Sequence, residues 1–289
     1  MANTFFCGVC TALVTPFLNN KVNYPMLNQL LQRQMDAGIR AIVICGTTGE
    51  APTLSDDEKI ELFARSKEFV KDECLIIAGT GSNCTEHAVN LSIAAEKAGA
   101  DGLLVVSPYY SKGTQDGLYT HFASIAEAVH IPMILYNVPS RTGQDLPVTL
   151  YKRLSQIPNI VGVKEASTDI VKVAKIRANC PPDFTVWSGN DDQAVAAIAL
   201  GAEGVISVLS NVAPEITQSM SMAALAGDLD TAAALNMQLL PLMEILFCEV
   251  NPVPVKEAMR IIGYDCGACR LPLGTMTPEN RNRLERYFQ

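Results

Sequence analysis

Residues 159–167 read NIVGVKEAS and combine a buried strand with a charged end. The run from Ile160 to Val163 is apolar on both faces, which is typical of a strand in a parallel sheet covered on both sides. Lys164 follows directly, although an ammonium group is costly to bury. The flanking sequence has to explain why a lysine stands at the end of a core strand.

Seven further runs of the same kind occur along the chain, and segments with helical periodicity separate them. In chain order the eight runs are GVCTALV (8–14), AIVIC (41–45), LIIAG (75–79), GLLVVS (102–107), MILYN (133–137), IVGVK (160–164), FTVWS (184–188) and GVISV (204–208). One of the intervening helices starts with Ser55 and Glu58, at the spacing of a capping box.

Strict alternation of strand and helix predicts an α/β fold, a closed (β/α)8 barrel of the TIM type. We assign residues 1–225 to the catalytic barrel and residues 226–289, which contain only helix-like segments, to a C-terminal helical domain. An open doubly wound sheet is the alternative. It finds little support because GTGSN (79–83) has the wrong spacing for a dinucleotide-binding turn.

The composition limits the partners of this chain. Its 289 residues carry a net charge of −8 with only 22 Lys and Arg, so we expect neither nucleic acid nor an anionic membrane as a partner. No run of about 18 apolar residues predicts a membrane helix, and the amino terminus does not resemble a secretion signal. We therefore expect a cytoplasmic protein.

Polar residues gather where the predicted strands end, which is the active-site face of a barrel. The second run ends in GTTGE (46–50), which holds Thr47 and Thr48 and can also be read as an ordinary turn. The fifth run ends in Tyr136, with Arg141 shortly after it, and the sixth ends in Lys164. One amine, one phenol, one guanidinium and two hydroxyls thus converge on a single rim.

These residue types favour carbonyl chemistry. A buried lysine is often only ion-paired, but Glu165 points to the opposite strand face and cannot pair with Lys164 inside the barrel. Desolvation should lower the pKa of Lys164, and a neutral amine forms a Schiff base with a 2-oxo acid. Tyr136 can then carry protons, and Arg141 can hold a carboxylate. Gly162, on the same face, should leave open space beneath the lysine.

A metal site is the rival interpretation. The chain has two C-x-x-C pairs, Cys7/Cys10 and Cys266/Cys269, but more than 250 residues separate them and neither pair opens a helix. Its histidines are His87, His121 and His130, for which we expect helical or surface roles. We therefore predict no metal and no cofactor, and keep a binding barrel without activity as a third possibility.

Six separate segments, in order, resemble the dihydrodipicolinate synthase family. They are GTTGE (46–50), SPYY (107–110), YNVPSRTG (136–143), GVKEAS (162–167), SGND (188–191) and NPVPVKEAM (251–259). The resemblance implies a lyase that condenses pyruvate with L-aspartate 4-semialdehyde, early in diaminopimelate and lysine biosynthesis. Another pyruvate-dependent aldolase, such as one like N-acetylneuraminate lyase, is the alternative, but Thr47 and Arg141 favour the synthase.

The resemblance also implies roles for single residues. Lys164 matches the lysine that forms the imine, and Tyr136, Thr48 and Tyr110 match a proton relay in which the second tyrosine enters the neighbouring subunit's site. Thr47 and Thr48 match the pyruvate-carboxylate cradle, Arg141 matches the clamp for the semialdehyde, and Gly189 and Ile206 match positions that line the pocket. The family's usual assembly is a dimer of dimers, so we expect a homotetramer.

Lysine-inhibited members of the family bind lysine at positions that match Ala51, Asp56, Lys59, Asn83, His87 and Tyr109 here. Sensitive bacterial members commonly have a glutamate at the position of His87. Since His87 cannot neutralise the ammonium of lysine, and Lys59 adds positive charge, we expect this site to be degenerate and lysine inhibition to be weak or absent.

Overall fold

The eight strand-like runs close into one parallel barrel in the computed structural model, which describes residues 4–289. The strands are β1 (Gly8–Ala12), β2 (Phe17–Leu18), β3 (Lys21–Val22), β4 (Ala41–Ile44), β5 (Leu75–Gly79), β6 (Gly102–Val106), β7 (Met133–Asn137), β8 (Ile160–Glu165), β9 (Thr185–Ser188) and β10 (Gly204–Ser207). Around the barrel the order is β1-β10-β9-β8-β7-β6-β5-β4, and β2 and β3 form a separate antiparallel hairpin. The predicted fold class is confirmed.

Helices follow the barrel strands and cover the outside of the barrel. They are α1 (Tyr24–Asp36), α2 (Asp56–Val70), α3 (Thr85–Lys97), α4 (Gln115–Glu127), α5 (Pro139–Thr142), α6 (Val148–Leu154), α7 (Val171–Asn179), α8 (Ala194–Ala199), α9 (Pro214–Leu225), α10 (Leu229–Leu246), α11 (Val253–Ile261) and α12 (Pro278–Tyr287). Single 3₁₀ turns lie at Ala51–Thr53, Asp191–Gln193 and Leu209–Asn211.

The predicted capping box at the start of α2 is present. The Ser55 hydroxyl accepts from the Glu58 N–H at 3.2 Å, and the Ser55 N–H donates to the Glu58 carboxylate at 3.0 Å. This reciprocal pair satisfies two of the N–H groups that a helix start leaves free.

The sequence analysis did not predict α5 and α9. The first is a single turn, and the second completes the eighth crossover.

The inside of the barrel is a packed core rather than a pore. Side chains such as Val43, Leu104 and Ile134 are buried there. The ring of Trp187 stacks on Phe6 with centroids 4.6 Å apart and closes the amino-terminal end. Because the lower part of the barrel is filled, the space for a ligand inside the barrel lies near the carboxyl ends of the strands, as in other barrels of this type.

The helices α10, α11 and α12 follow the last strand, as the sequence predicted. Residues 250–273 run over the carboxyl face of the barrel, where the Asn251 amide and the Lys256 ammonium contact the loop after β4. The division at residues 225 and 226 stays a prediction, and residues 1–3 of the expected barrel segment lie outside the described residues. Within residues 4–289, no helix is long and apolar enough to cross a bilayer.

Candidate active site at the carboxyl face of the barrel

Lys164 and Tyr136 are neighbours on adjacent strands. They are paired in the parallel register of β8 and β7, and they are 5% and 7% exposed. The lysine Nζ lies 4.5 Å from the centroid of the tyrosine ring, so the two side chains share one pocket. Among the described residues, no carboxylate lies within ion-pair distance of this ammonium. The barrel therefore presents a largely desolvated amine beside a phenol, as the strand pattern predicted.

Glu165 faces away from the cavity, which confirms the expectation from strand alternation. Its carboxylate accepts from Asn137 Nδ2 at 2.8 Å and from the Tyr151 hydroxyl at 3.0 Å, and Lys172 lies 3.4 Å away. Burial and the neighbouring carboxylate raise the pKa of Tyr151 well above its usual value, so the phenol remains a donor. This outer cluster fixes the end of β8 from behind.

A cavity of about 190 Å³ opens above Lys164. It is lined by Ala12, Val43, Gly46, Thr47, Thr48, Leu104, Tyr136, Val138, Ser140, Arg141, Lys164, Ala166, Gly189, Asn190, Val208, Phe247 and Asn251. The structure thus brings together six of the predicted site residues, from Thr47 and Thr48 on one side to Gly189 on the other. Its size suits a small organic acid better than a cofactor.

Two predicted positions are not in this lining. Ile206 is fully buried among the side chains inside the barrel and is not part of this lining, so its role as a wall of the pocket stays a prediction. Val208, which directly follows β10, is part of the lining. Tyr110 is 90% exposed, with a left-handed backbone at φ 72°, and does not line the cavity of its own chain.

Gly189 is required by the position of the lysine. A Cβ atom at this residue would lie 3.0 Å from Lys164 Cε and 2.5 Å from the Ala166 side chain. The distance to Ala166 is shorter than real Cβ contacts allow and the distance to Lys164 is tighter than most, so a larger residue would displace these neighbours. The presence of a glycine at position 189, next to Lys164 in the cavity lining, therefore has a steric reason.

Gly162 does not leave the open space that the sequence suggested. A Cβ atom there would lie 2.2 Å from the Thr185 carbonyl oxygen and 2.8 Å from the ring of Trp187. The space beneath Lys164 is already filled by β9, and the glycine allows β8 and β9 to approach. The predicted role of Gly162 in keeping room for an imine is therefore wrong; it is a packing residue.

The loop after β4 holds Thr47 and Thr48 through buried contacts. The Thr15 hydroxyl donates to the Gly49 carbonyl at 2.7 Å, and Thr48 is only 2% exposed. Glu50 ends the motif in a left-handed conformation, at φ 57°, with its side chain turned into the protein. Such a constrained loop is more than an ordinary turn, because a non-glycine residue adopts this conformation at a cost.

Glu50 is anchored by the C-terminal helical region. Its carboxylate accepts from Lys256 Nζ at 2.6 Å and from the Arg270 N–H at 2.8 Å. The Phe17 ring lies 4.3 Å from the Lys256 ammonium and 4.3 Å from the Arg270 guanidinium. Residues far apart in sequence therefore fix the threonine loop at the rim.

Arg141 lies on the short helix α5, whose position after β7 carries its guanidinium over the cavity. Its Nη2 donates to the Asn251 carbonyl at 3.2 Å. Asn251 also lines the cavity, and the sequence analysis did not identify it as a site residue. The NPVPVKEAM segment lies after the last strand, so strand ends alone do not predict that Asn251 reaches the rim.

A second cavity of about 280 Å³ adjoins the first. Four of the predicted effector residues, Ala51, Lys59, His87 and Tyr109, contribute to its lining, and Thr47, Tyr136 and Arg141 border both cavities. Asn83 is exposed and, with Asp56, is not part of the lining.

Asp56 joins the two basic residues of this second cavity. Its carboxylate accepts from Lys59 at 3.2 Å and lies 2.8 Å from His87 Nε2. Partial burial opposes its ionisation, but the hydrogen bonds from His87 and Lys59 hold the pKa of the Asp56 carboxyl below its usual value. The Asp56 carboxylate is therefore already paired with Lys59 and His87 and is not free for the ammonium group of a ligand.

The remaining histidines and the thiol pairs lie apart from the cavity. His121 is buried on α4, where burial lowers its pKa to about 4, and His130 is exposed just after that helix. Cys10 is buried inside the barrel whereas Cys7 is exposed. Within residues 4–289, no group of three or more His, Cys, Asp or Glu side chains could hold a metal ion.

Comparisons with known proteins agree with this geometry. The model of the dihydrodipicolinate synthetase family matches residues 5–289. A curated 4-hydroxy-tetrahydrodipicolinate synthase of Acetivibrio thermocellus is 48% identical over 289 residues, which is 100% of this chain and 98% of the relative.

Solved structures show the same likeness. The crystal structure of dihydrodipicolinate synthase from Aquifex aeolicus superposes with a TM-score of 0.96 at 42% identity, covering 98% of this chain and 97% of that one. A chloride-inhibited dihydrodipicolinate synthase of Acinetobacter baumannii, solved as a complex with pyruvate, has a TM-score of 0.95 at 42% identity and covers 97% of each chain. Both resemblances extend over nearly the whole length.

Proposed function

Because the chain belongs to the dihydrodipicolinate synthetase family, we propose that it condenses pyruvate with L-aspartate 4-semialdehyde through an imine on Lys164. The observation that carries the proposal is the buried Lys164 Nζ, 4.5 Å from the Tyr136 ring and without a carboxylate partner among the described residues. The relatives named above carry the synthase name and lend no support to a lyase of N-acetylneuraminate.

The reaction starts when the neutral amine of Lys164 attacks C2 of pyruvate. The carbinolamine then loses water to give the imine, for which one proton must be delivered to the departing hydroxyl and one removed from nitrogen. Tyr136 is the phenol beside this nitrogen and serves as the shuttle. Thr47 and Thr48 hold the pyruvate carboxylate with hydroxyl and backbone N–H groups of their loop.

Loss of a proton from the methyl group turns the imine into an enamine, whose carbon attacks the aldehyde of the second substrate. Arg141 holds the carboxylate of that substrate, since a guanidinium binds a carboxylate in a bidentate manner. The amino group of the semialdehyde then attacks the imine carbon, closes the ring and releases Lys164. No cofactor or metal is needed in this scheme.

Tyr110 completes the relay in the proposed assembly, a dimer of dimers. Its exposure of 90% and left-handed backbone support the proposal, because a large aromatic side chain that extends from its own chain is typical of a residue that packs on a partner. A homotetramer and a cytoplasmic location remain predictions. Measurement of the molar mass in solution tests the assembly.

The function is tested by incubating the purified protein with pyruvate and aspartate semialdehyde and identifying the product by mass spectrometry. We expect the cyclic hydroxy-tetrahydrodipicolinate at a rate that depends on both substrates. N-acetylneuraminate, supplied alone, should not be cleaved. An imine with pyruvate but no cyclic product would overturn the proposed second substrate.

A further inference from the structure

Asn251 is a buried polar residue of the cavity to which the proposed reaction assigns no role. It precedes α11, in the NPVPVKEAM segment, and is only 4% exposed although it lines the cavity above Lys164. Its position is fixed by the path of the C-terminal region over the barrel rather than by a strand.

The two polar ends of Asn251 contact two different substrate-binding residues. Its side-chain Nδ2 donates to Thr48 Oγ1 at 3.0 Å, and its backbone carbonyl accepts from Arg141 Nη2 at 3.2 Å. One residue therefore touches the threonine on the pyruvate side and the guanidinium on the semialdehyde side.

The bond to Thr48 also sets the direction of a proton. A hydroxyl has one hydrogen to donate and can accept from others. Since Thr48 Oγ1 accepts from the amide, its own hydrogen must point elsewhere and is available to the cavity. An acceptor in place of the amide would take this hydrogen and withdraw it from the substrate.

We propose that Asn251 is a positioning residue that keeps the Thr48 hydroxyl oriented as a hydrogen-bond donor toward the bound pyruvate. The inference rests on the proposed function, because it assigns the carboxylate of pyruvate to Thr48. The Asn251 carbonyl also holds the Arg141 guanidinium, the second anion-binding group. The carboxylate sites at Thr48 and Arg141 therefore keep a fixed separation.

A further observation separates this role from simple packing. Asn251 Oδ1 is buried and has no hydrogen-bond partner among the residues that the structure describes. Buried polar atoms in native proteins are nearly always paired, so an unpaired acceptor at a packing position would be replaced by an apolar side chain without loss. At a positioning residue the amide is retained for the bond that it donates.

The test measures imine formation from pyruvate alone. The reaction is quenched with borohydride at successive times, and the intact mass of the protein is measured by mass spectrometry. Asn251→Ala should slow the formation of the adduct about tenfold at low pyruvate, since it removes one hydrogen bond that orients a donor to a charged ligand. Asn251→Asp should slow it about 100-fold, because the carboxylate accepts the Thr48 hydrogen and repels pyruvate. Arg141 contacts only the backbone, so the KM for aspartate semialdehyde should change much less in the Ala variant.

A double-mutant cycle shows whether Asn251 acts through the hydroxyl. In a Thr48→Val background, Asn251→Ala should cost less than about twofold, because the bond it would remove is already gone. Asn159→Ala is the matched control: its amide donates to the carbonyls of Ala126 and Val129, away from the cavity, so imine formation should be unchanged.

The inference is overturned if Asn251→Ala forms the adduct at the wild-type rate, or if its loss is the same with and without the Thr48 hydroxyl. A lower melting temperature with a normal rate of adduct formation would equally assign Asn251 to packing. If the wild-type protein gains no adduct from pyruvate, it is the proposed function that fails, so the two failures are distinct.

Discussion

Lys256→Met is expected to destabilise the protein by about 3–5 kcal/mol, because it leaves the Glu50 carboxylate buried without its counter-ion. The side chains of the pair are 3% and 0% exposed, and the nitrogen lies 2.6 Å from the carboxylate oxygen. After the substitution, the Arg270 N–H at 2.8 Å is the main donor that remains to Glu50.

The magnitude follows from two opposing effects. At an effective dielectric constant of about 20, two charges 2.6 Å apart attract each other by roughly 6 kcal/mol. Desolvation of both groups offsets much of this attraction, so the intact pair contributes little net stability compared with an apolar pair. Breaking it on one side is different, since the carboxylate still bears the cost of burial but loses the attraction.

Urea-induced unfolding at one fixed protein concentration measures the loss, with the midpoint and slope recorded for each variant. The double variant Glu50→Gln/Lys256→Met removes both charges and should recover more than about 1 kcal/mol relative to Lys256→Met. Lys175→Met is the control, because its pair with Asp169 is about half exposed, at 3.2 Å, and solvent screening should leave the unfolding midpoint nearly unchanged. A loss of less than about 1 kcal/mol for Lys256→Met, or no recovery in the double variant, would refute the reasoning.

Three further results are expected. Gly162→Ala should lower stability and activity together, because the new Cβ would lie 2.2 Å from the Thr185 carbonyl oxygen. Urea unfolding and the product assay measure the two effects. A variant with full stability but lost activity would show that Gly162 does keep room for the imine. Since burial lowers the His121 pKa from 6.5 to about 4, the unfolded chain takes up the proton first. Stability should fall by about 3 kcal/mol as the pH drops through this window, and His121→Gln should flatten that slope in urea titrations at each pH. Added lysine should inhibit weakly or not at all, as Asp56 is already paired, and sub-millimolar inhibition in the product assay would contradict this.

The barrel and the pairing of Lys164 with Tyr136 at its rim were predictable from the sequence because they depend on local periodicity. Eight apolar runs alternate with helices, and parallel strands bring their carboxyl ends to one face. That rule alone placed Lys164 beside Tyr136, and strand alternation placed Glu165 on the other side. Both follow from the backbone, without knowledge of how side chains pack.

Depth within the barrel was not predictable in the same way. Strand alternation gives the face of a residue but not its layer, so it could not show that Ile206 is buried inside the barrel whereas Val208, just after β10, lines the cavity. The prediction for Gly162 was wrong for a related reason. Its neighbours Thr185 and Trp187 belong to the next strand, and their distance from Gly162 depends on how closely the two strands approach.

Asn251 lay beyond sequence reasoning because its role depends on the last part of the chain folding back over the barrel. A loop asparagine before a proline predicts a turn, not a cavity wall. The contact between its amide and Thr48, 203 positions away in sequence, exists only in the folded protein. The signal that could have identified it was the recurrence of the whole segment as a family motif.

The central claim is that Lys164 is the nucleophile that binds pyruvate. Its most direct test is borohydride reduction in the presence of pyruvate, followed by digestion and mass spectrometry of the peptide that contains residues 159–167. We predict a reduced pyruvate adduct on Lys164 in the wild-type protein and none in Lys164→Arg. An adduct on another lysine, or an equal amount of adduct in the Lys164→Arg variant, would contradict the account.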